Sequence, residues 1–245
     1  MTAHAVPRGK RRRRAMLTLP FVCIVLLVAA GMAFVSYVLW PTWPSQTAPF
    51  DAPAIPVTVA GVLFDIPPAA IREAVQRHPG QHERVDLAFE WPSLTPPQPN
   101  DKRADKPPLN AENATAAAIA TENKRLFATV AGLGAVLPPL ERLRTIYPRY
   151  VEAQAIAAPD GLAILPFRAG TPYEGEDLVY LGANPEQFFA RCTRAARSVP
   201  GTCINERVLD AAEITLRFPR DWLADWRNAA SAFDRLVAQL HPQAK

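Results

Sequence analysis

Cys192 and Cys203 flank the ten residues TRAARSVPGT, in which Pro200 and Gly201 supply a turn, so two thiols are placed to close a small loop. Such a bridge persists only in an oxidising compartment. The alternative chemistry is a redox-active pair. That chemistry favours thiols two residues apart with a lowered pKa, and this spacing is wider. His78 and His82 form His-x-x-x-His, which on a helix would present both imidazoles to one metal ion. Pro79 and Gly80 lie between them and break that helix, which leaves two loop histidines. Glu174, Glu176 and Asp177 crowd one turn and could work as paired carboxylates, although charged side chains on a turn are ordinarily solvated.

Other chemistries find no footing. Neither a Gly-x-Ser-x-Gly elbow nor a Ser-x-x-Lys occurs, and the segment after residue 56 has only Ser93, Ser198 and Ser231 to serve as serine nucleophiles. Gly132-Leu133-Gly134 lacks the lysine and third glycine of a phosphate-cradling loop. No cofactor or metal is expected. Trp222 and Trp226, one helical turn apart, would more simply fill a core than offer a ligand platform.

The positive charge has one address. Arg8, Lys10, Arg11, Arg12, Arg13 and Arg14 account for six of the 27 Lys and Arg residues, leaving 21 to set against 23 Asp and Glu. Nucleic-acid binding draws on clustered Lys and Arg neutralising phosphates, and the slightly acidic body does not supply them. Nucleic acid is therefore not an expected partner.

The elements that must hold these residues begin with a membrane anchor. Ala15 to Trp40 has no charged side chain, and about 20 apolar residues suffice to cross a bilayer core. The basic cluster precedes this run, and Tyr37, Trp40 and Trp43 follow it, at the level where aromatic rings favour the interface. By the positive-inside rule residues 1–14 form a cytoplasmic arm, 15–40 a single span in the bilayer, and everything beyond lies across the membrane. A cleaved signal peptide would have a shorter apolar region and an early small-residue cleavage site. The nearest pattern, Ala52-Pro53-Ala54, is late and carries a proline. Cys23 lacks the preceding small residue that lipoprotein processing needs.

Residues 41–56 carry five prolines and read as a spacer. From 57 to 245 one α+β domain is expected, with 92–123 as a loop or weakly ordered insertion. Apolar residues alternate in Glu83 to Trp91, where Val85, Leu87, Phe89 and Trp91 face one way and Arg84, Asp86 and Glu90 the other. Val57 to Ile66, Leu126 to Ala131, Gly161 to Phe167, Asp177 to Leu181 and Glu213 to Phe218 are further strands, joined by short links into an antiparallel sheet. One helix is expected between Pro67-Pro68 and Pro79-Gly80. Another runs from Arg220 to Leu240, with an apolar stripe of Trp222, Trp226, Ala229, Phe233, Leu236 and Leu240 that should pack on the sheet.

Several stretches carry a resemblance: Val62-Leu63-Phe64-Asp65-Ile66-Pro67, Gln76-Arg77, Glu83 to Leu87 with Trp91-Pro92, Phe189-Ala190-Arg191-Cys192, Cys203, and Leu216-Arg217-Phe218-Pro219 before Trp226. Together they resemble a group of proteobacterial membrane-anchored proteins of unknown function, with a basic arm, one span and a periplasmic domain. The resemblance implies an inner-membrane location and the Cys pair. It also marks Arg77, Arg84, Asp86 and Trp91 as structural or surface-binding residues rather than catalytic ones.

The function these features favour is a non-enzymatic periplasmic interaction or scaffold module whose partner is another envelope protein. Two alternatives stand beside it: a hydrolase using carboxylates in a cleft, and an accessory or immunity-type protein that binds and blocks another protein.

Overall fold

The computed structural model describes residues 9–38, 48–98, 124–195 and 200–241. It divides into two units, Met1–Trp43 and Pro44–Lys245. In the first, helix α1 spans Gly9–Val38, and its side chains from Val22 to Tyr37 are exposed. Among the described residues no helix is long and apolar enough to cross a membrane. The span expected over 15–40 extends at both ends beyond these side chains.

The second unit is α+β with antiparallel pairing dominant. Strand β1 (Ile55–Val59) turns into β2 (Val62–Ile66) through Ala60 and Gly61, both at positive φ, as a two-residue hairpin whose twist matches its strands requires. The single strand expected over Val57 to Ile66 is thus a hairpin, and the spacer expected to reach residue 56 already contributes Ile55 and Pro56 to β1. Strand β3 (Gly80–His82) adds to β1 in parallel, which the short-link argument did not anticipate.

The larger sheet holds eight strands. They are β4 (Arg84–Glu90), β5 (Arg125–Gly132), β6 (Ile156–Ala157), β7 (Leu162–Pro166), β8 (Glu176–Leu181), β9 (Phe189–Thr193), β10 (Thr202–Leu209) and β11 (Ala212–Pro219). Their spatial order is β4-β5-β11-β10-β9-β8-β7-β6, with antiparallel pairing throughout.

Alternation divides this sheet into two faces. Val85, Leu87 and Phe89 of β4, Leu126, Ala128 and Val130 of β5, and Ile214, Leu216 and Phe218 of β11 are all buried in one core. A C-terminal helix joins them with Trp226, Ala229, Ala232, Phe233, Leu236 and Leu240, at the spacing read from the sequence. That helix begins later than expected: Arg220–Asp225 is a 3-10 turn, and the α-helix runs over Trp226–Leu240. On the opposite face, β8 and β9 contribute Leu178 and Phe189 to a smaller cluster with Tyr147, Val151 and Phe167. A short helix, Pro139–Thr145, leads into this cluster and had no signal strong enough to be read.

The helix expected between Pro67 and Pro79 does not form. The segment holds two single 3-10 turns, Pro68–Ala70 and Ala74–Gln76. Strand β4 lies at the edge of the sheet, and this segment covers it. Ile71 bridges to Leu87, the Arg72 amide donates to the Asp86 carbonyl, and the Asp86 amide donates to Oε1 of Gln76 at 3.0 Å. Satisfying an open strand edge outweighs a local preference for helix. Of the expected insertion 92–123, residues 99–123 lie outside the described residues.

Candidate functional site

The cysteine pair is a disulfide between residues directly opposite each other on β9 and β10, with Cα atoms 4.0 Å apart and both side chains fully buried. It closes the loop that the spacing allowed. Beside it, a Cβ on Gly201 would lie 2.6 Å from the Thr193 carbonyl oxygen, so only glycine fits where the loop re-enters β10.

The four residues singled out on β4 and its approach separate. Arg84 and Asp86 stand together on the outer face of β4, with Nη2 donating to Oδ1 at 2.7 Å, and Thr129 Oγ1 donates to the same oxygen at 2.8 Å. Burial pushes the Asp86 carboxyl up, but hydrogen bonds from Arg84 and Thr129 outweigh it and bring the pKa below the ordinary 3.8. Arg77 turns inward, where Nε and Nη2 donate to the Ile71 carbonyl at 3.0 and 2.8 Å. Trp91 takes the core side and stacks on Trp222, so it does not share a surface with Arg84 and Asp86.

The remaining candidates also disperse. His78 and His82 stack with ring centroids 4.3 Å apart, and each ring nitrogen that bonds does so to a backbone carbonyl. Among the described residues no cluster of three or more potential ligands could hold a metal ion. Glu174 accepts from the Gly170 amide, Glu176 pairs with Arg191, and buried Asp177 is held between Arg194 Nε at 2.7 Å and Arg220 Nη2 at 2.6 Å. The three acids point to three different partners. Asp177 reaches the wall of an open cavity of about 760 Å³, lined by Leu162, Ile164, Val179 and Leu223. Trp222 and Trp226 are packing residues, and the Trp226 Nε1 donates to the Asp160 carbonyl.

Two acids that the sequence did not single out do converge. Glu206 of β10 and Glu213 of β11 share one guanidinium: Arg142 Nη2 lies 3.1 Å from Glu206 Oε2 and 3.0 Å from Glu213 Oε1. Burial first, then the neighbouring Glu206 charge, raises the Glu213 pKa above its ordinary 4.5 against the pull of Arg142. Glu206 lines a cavity of about 260 Å³ with Pro138, Leu140, Phe188, Asn205 and Val208, whereas Glu213 is not part of its wall. No sequence signal joins Arg142 to acids more than sixty residues away.

Register makes the outer face of the central strands readable row by row. Directly opposed residues in antiparallel pairs point to the same side. One row is Ala88, Phe127, Arg217 and Ile204; the next is Asp86, Thr129, Thr215 and Glu206; the third is Arg84, Ala131, Glu213 and Val208. Phe127, Thr129, Thr215 and Ile204 are only half-buried although they lie mid-sheet. The alternation of β4 and β11 had already placed Arg84, Asp86, Thr215 and Arg217 on outward faces. The register that makes these faces one surface was not readable.

No protein-family profile matches the chain, and no curated protein of similar sequence does. Among solved structures, it resembles an immunity protein of the Stenotrophomonas maltophilia type IV secretion system at 16% identity and a TM-score of 0.50, over 81% of this chain and 100% of that one. It also resembles the Neisseria meningitidis iron-regulated outer membrane lipoprotein FrpD at 7% identity and a TM-score of 0.44, over 81% of this chain and 99% of that one. At these identities the likeness is one of fold.

Proposed function

We propose that this chain is an envelope protein-binding module, tethered to the bacterial inner membrane through residues 15–40, with its basic arm in the cytoplasm and its α+β domain in the periplasm. The observation that carries the binding reading is the half-exposed outer face of β4, β5, β11 and β10, a broad polar and apolar surface in the middle of a sheet. The uncharged stretch behind Arg11 to Arg14 supports the tether, and the Cys192 to Cys203 bridge suits an oxidising compartment. The fold shared with an immunity protein over that protein's full length supports the more specific form, in which the module binds and blocks another protein. The resemblance to anchored periplasmic proteins points to the same location.

The hydrolase reading has one observation in its favour, the pair Glu206 and Glu213. Both are tied to Arg142, through Oε2 of Glu206 and Oε1 of Glu213, and only Glu206 reaches the wall of a cavity, so the two do not face one substrate site. The binding reading is therefore preferred.

Alkaline phosphatase fused after Lys245 tests the placement: activity is expected, and an inactive fusion overturns it. Crosslinking of the full chain in intact cells tests the binding. A discrete heterologous complex is expected, and a chain recovered only alone at every crosslinker length overturns the reading.

A further inference from the structure

We propose that the outer sheet face around Phe127 is the docking surface, and that its occupant is an acidic protein whose carboxylates straddle that ring. This inference rests on the protein-binding reading above. Phe127 sits at the centre of the row Ala88, Phe127, Arg217 and Ile204. The Arg72 guanidinium lies 4.9 Å from its ring centroid, and Arg217 is directly opposite it on β11 and exposed. An aromatic ring flanked by arginines is the composition that dominates protein interfaces, because both offer large contact area with fixed geometry.

The charge balance of the face selects the partner. Arg84 is matched by Asp86, and Arg142 pairs with both Glu206 and Glu213, a cluster that keeps one negative charge, its acids one row and two rows away from Phe127. None of the ion pairs among the described residues involves Arg72 or Arg217. Positive charge is thus left over beside Phe127, on a body that is slightly acidic as a whole. A partner with carboxylates spaced around an apolar residue answers both features. A protein can place its carboxylates at Arg72 and Arg217 alone, whereas the continuous phosphates of a nucleic acid or an anionic membrane would also meet Asp86, Glu206 and Glu213 in the adjoining rows.

The test uses the full chain in the cells that make it, with p-benzoylphenylalanine replacing Phe127 in one version and the exposed Leu63, on β2, in another. Illumination is expected to join the Phe127 version to one protein through an acidic peptide. The yield should fall roughly a hundredfold with Arg72→Glu and Arg217→Glu together, and hold with Lys at both positions. If the double reversal does not fold, Arg217→Glu alone carries the test, with roughly a tenfold loss expected. Crosslinks to a second copy, to the chain itself, to lipid or to nucleic acid overturn the proposal, as does a yield indifferent to charge reversal. A crosslink from Leu63 with none from Phe127 overturns this face but leaves the binding reading standing. None from either position overturns this face, and the binding reading falls with it only when full-chain crosslinking also recovers the chain alone.

Discussion

The indole of Trp91 stacks on that of Trp222, with ring centroids 4.2 Å apart and planes 27° from parallel. The contact ties the end of β4 to the 3-10 turn that opens the C-terminal helix, and Phe218 continues the stack at 6.0 Å from Trp222. Both tryptophans are partly buried against the main core. Trp222→Ala should cost about 2 to 3 kcal/mol in urea unfolding, less than a fully buried aromatic. Combined with Trp91→Ala, the double variant should lose about 1 kcal/mol less than the two singles added, because their mutual contact is counted once. Strict additivity would show that the stack contributes nothing of its own.

The disulfide joins opposed, fully buried residues, so it constrains the unfolded chain without tying down a loose surface. Replacing both cysteines with alanine is expected to lower unfolding free energy by about 3 kcal/mol on the chain-entropy argument. Mass spectrometry of protein isolated with thiols blocked should recover the peptides of Cys192 and Cys203 as one linked species. Free thiols at these positions would count against both the bridge and the compartment.

Gly201 is a close approach rather than a convenience. Its missing side chain lets Thr193 and Arg220 crowd the loop end, with the Thr193 oxygen 2.6 Å and the Arg220 Cδ 3.0 Å from where a Cβ would sit. Gly201→Ala should destabilise by about 2 kcal/mol by overpacking, visible as a lowered thermal midpoint with the disulfide intact.

Arg142 holds two carboxylates on neighbouring strands. Arg142→Met leaves Glu206 and Glu213 half-buried and facing each other without a cation, and should cost about 3 kcal/mol. Adding Glu213→Gln removes one of the two charges and should recover a large share of that loss. If the second substitution recovers nothing, the charge account of this contact is wrong.

Acid and neutral pH act on different carboxylates. Asp86 has a lowered pKa, so its stabilising share is present above 3.8 and is lost as pH falls through the lower folded value. Glu213 has a raised pKa, so its share is present below 4.5 and is lost as pH climbs through the higher folded value. Unfolding measured from about pH 3 to pH 7 should therefore show Asp86→Asn flattening the acid limb and Glu213→Gln flattening the limb above 4.5. Exchanged effects would mean the two environments are assigned the wrong way round.

Local pattern carried much of this fold. The alternation of Val85, Leu87 and Phe89 and of Ile214, Leu216 and Phe218 located β4 and β11 and told their core faces from their outer ones. Strand β10 was harder to read, because Asn205 and Arg207 occupy inward positions in TCINERVL and blur its period. In β9, FARCT is too short to show one. The segment from Pro67 to Pro79 misled because its prolines and apolar spacing are helix signals, while the need it meets belongs to the edge of β4.

Periodicity, turn residues and a charge-free stretch behind a basic cluster are properties of neighbouring residues, so the strands, the C-terminal amphipathic helix and the expected anchor can be stated from the chain alone. So could the pairing of Cys192 with Cys203, whose loop is short. The meeting of Arg142 with Glu206 and Glu213, the stacking of Trp91 on Trp222, and the row that sets Phe127 beside Arg217 all depend on strand order, register and packing. Those are settled by burying every inward side chain at once and pairing every strand edge, a condition on the whole molecule that no short stretch of sequence records.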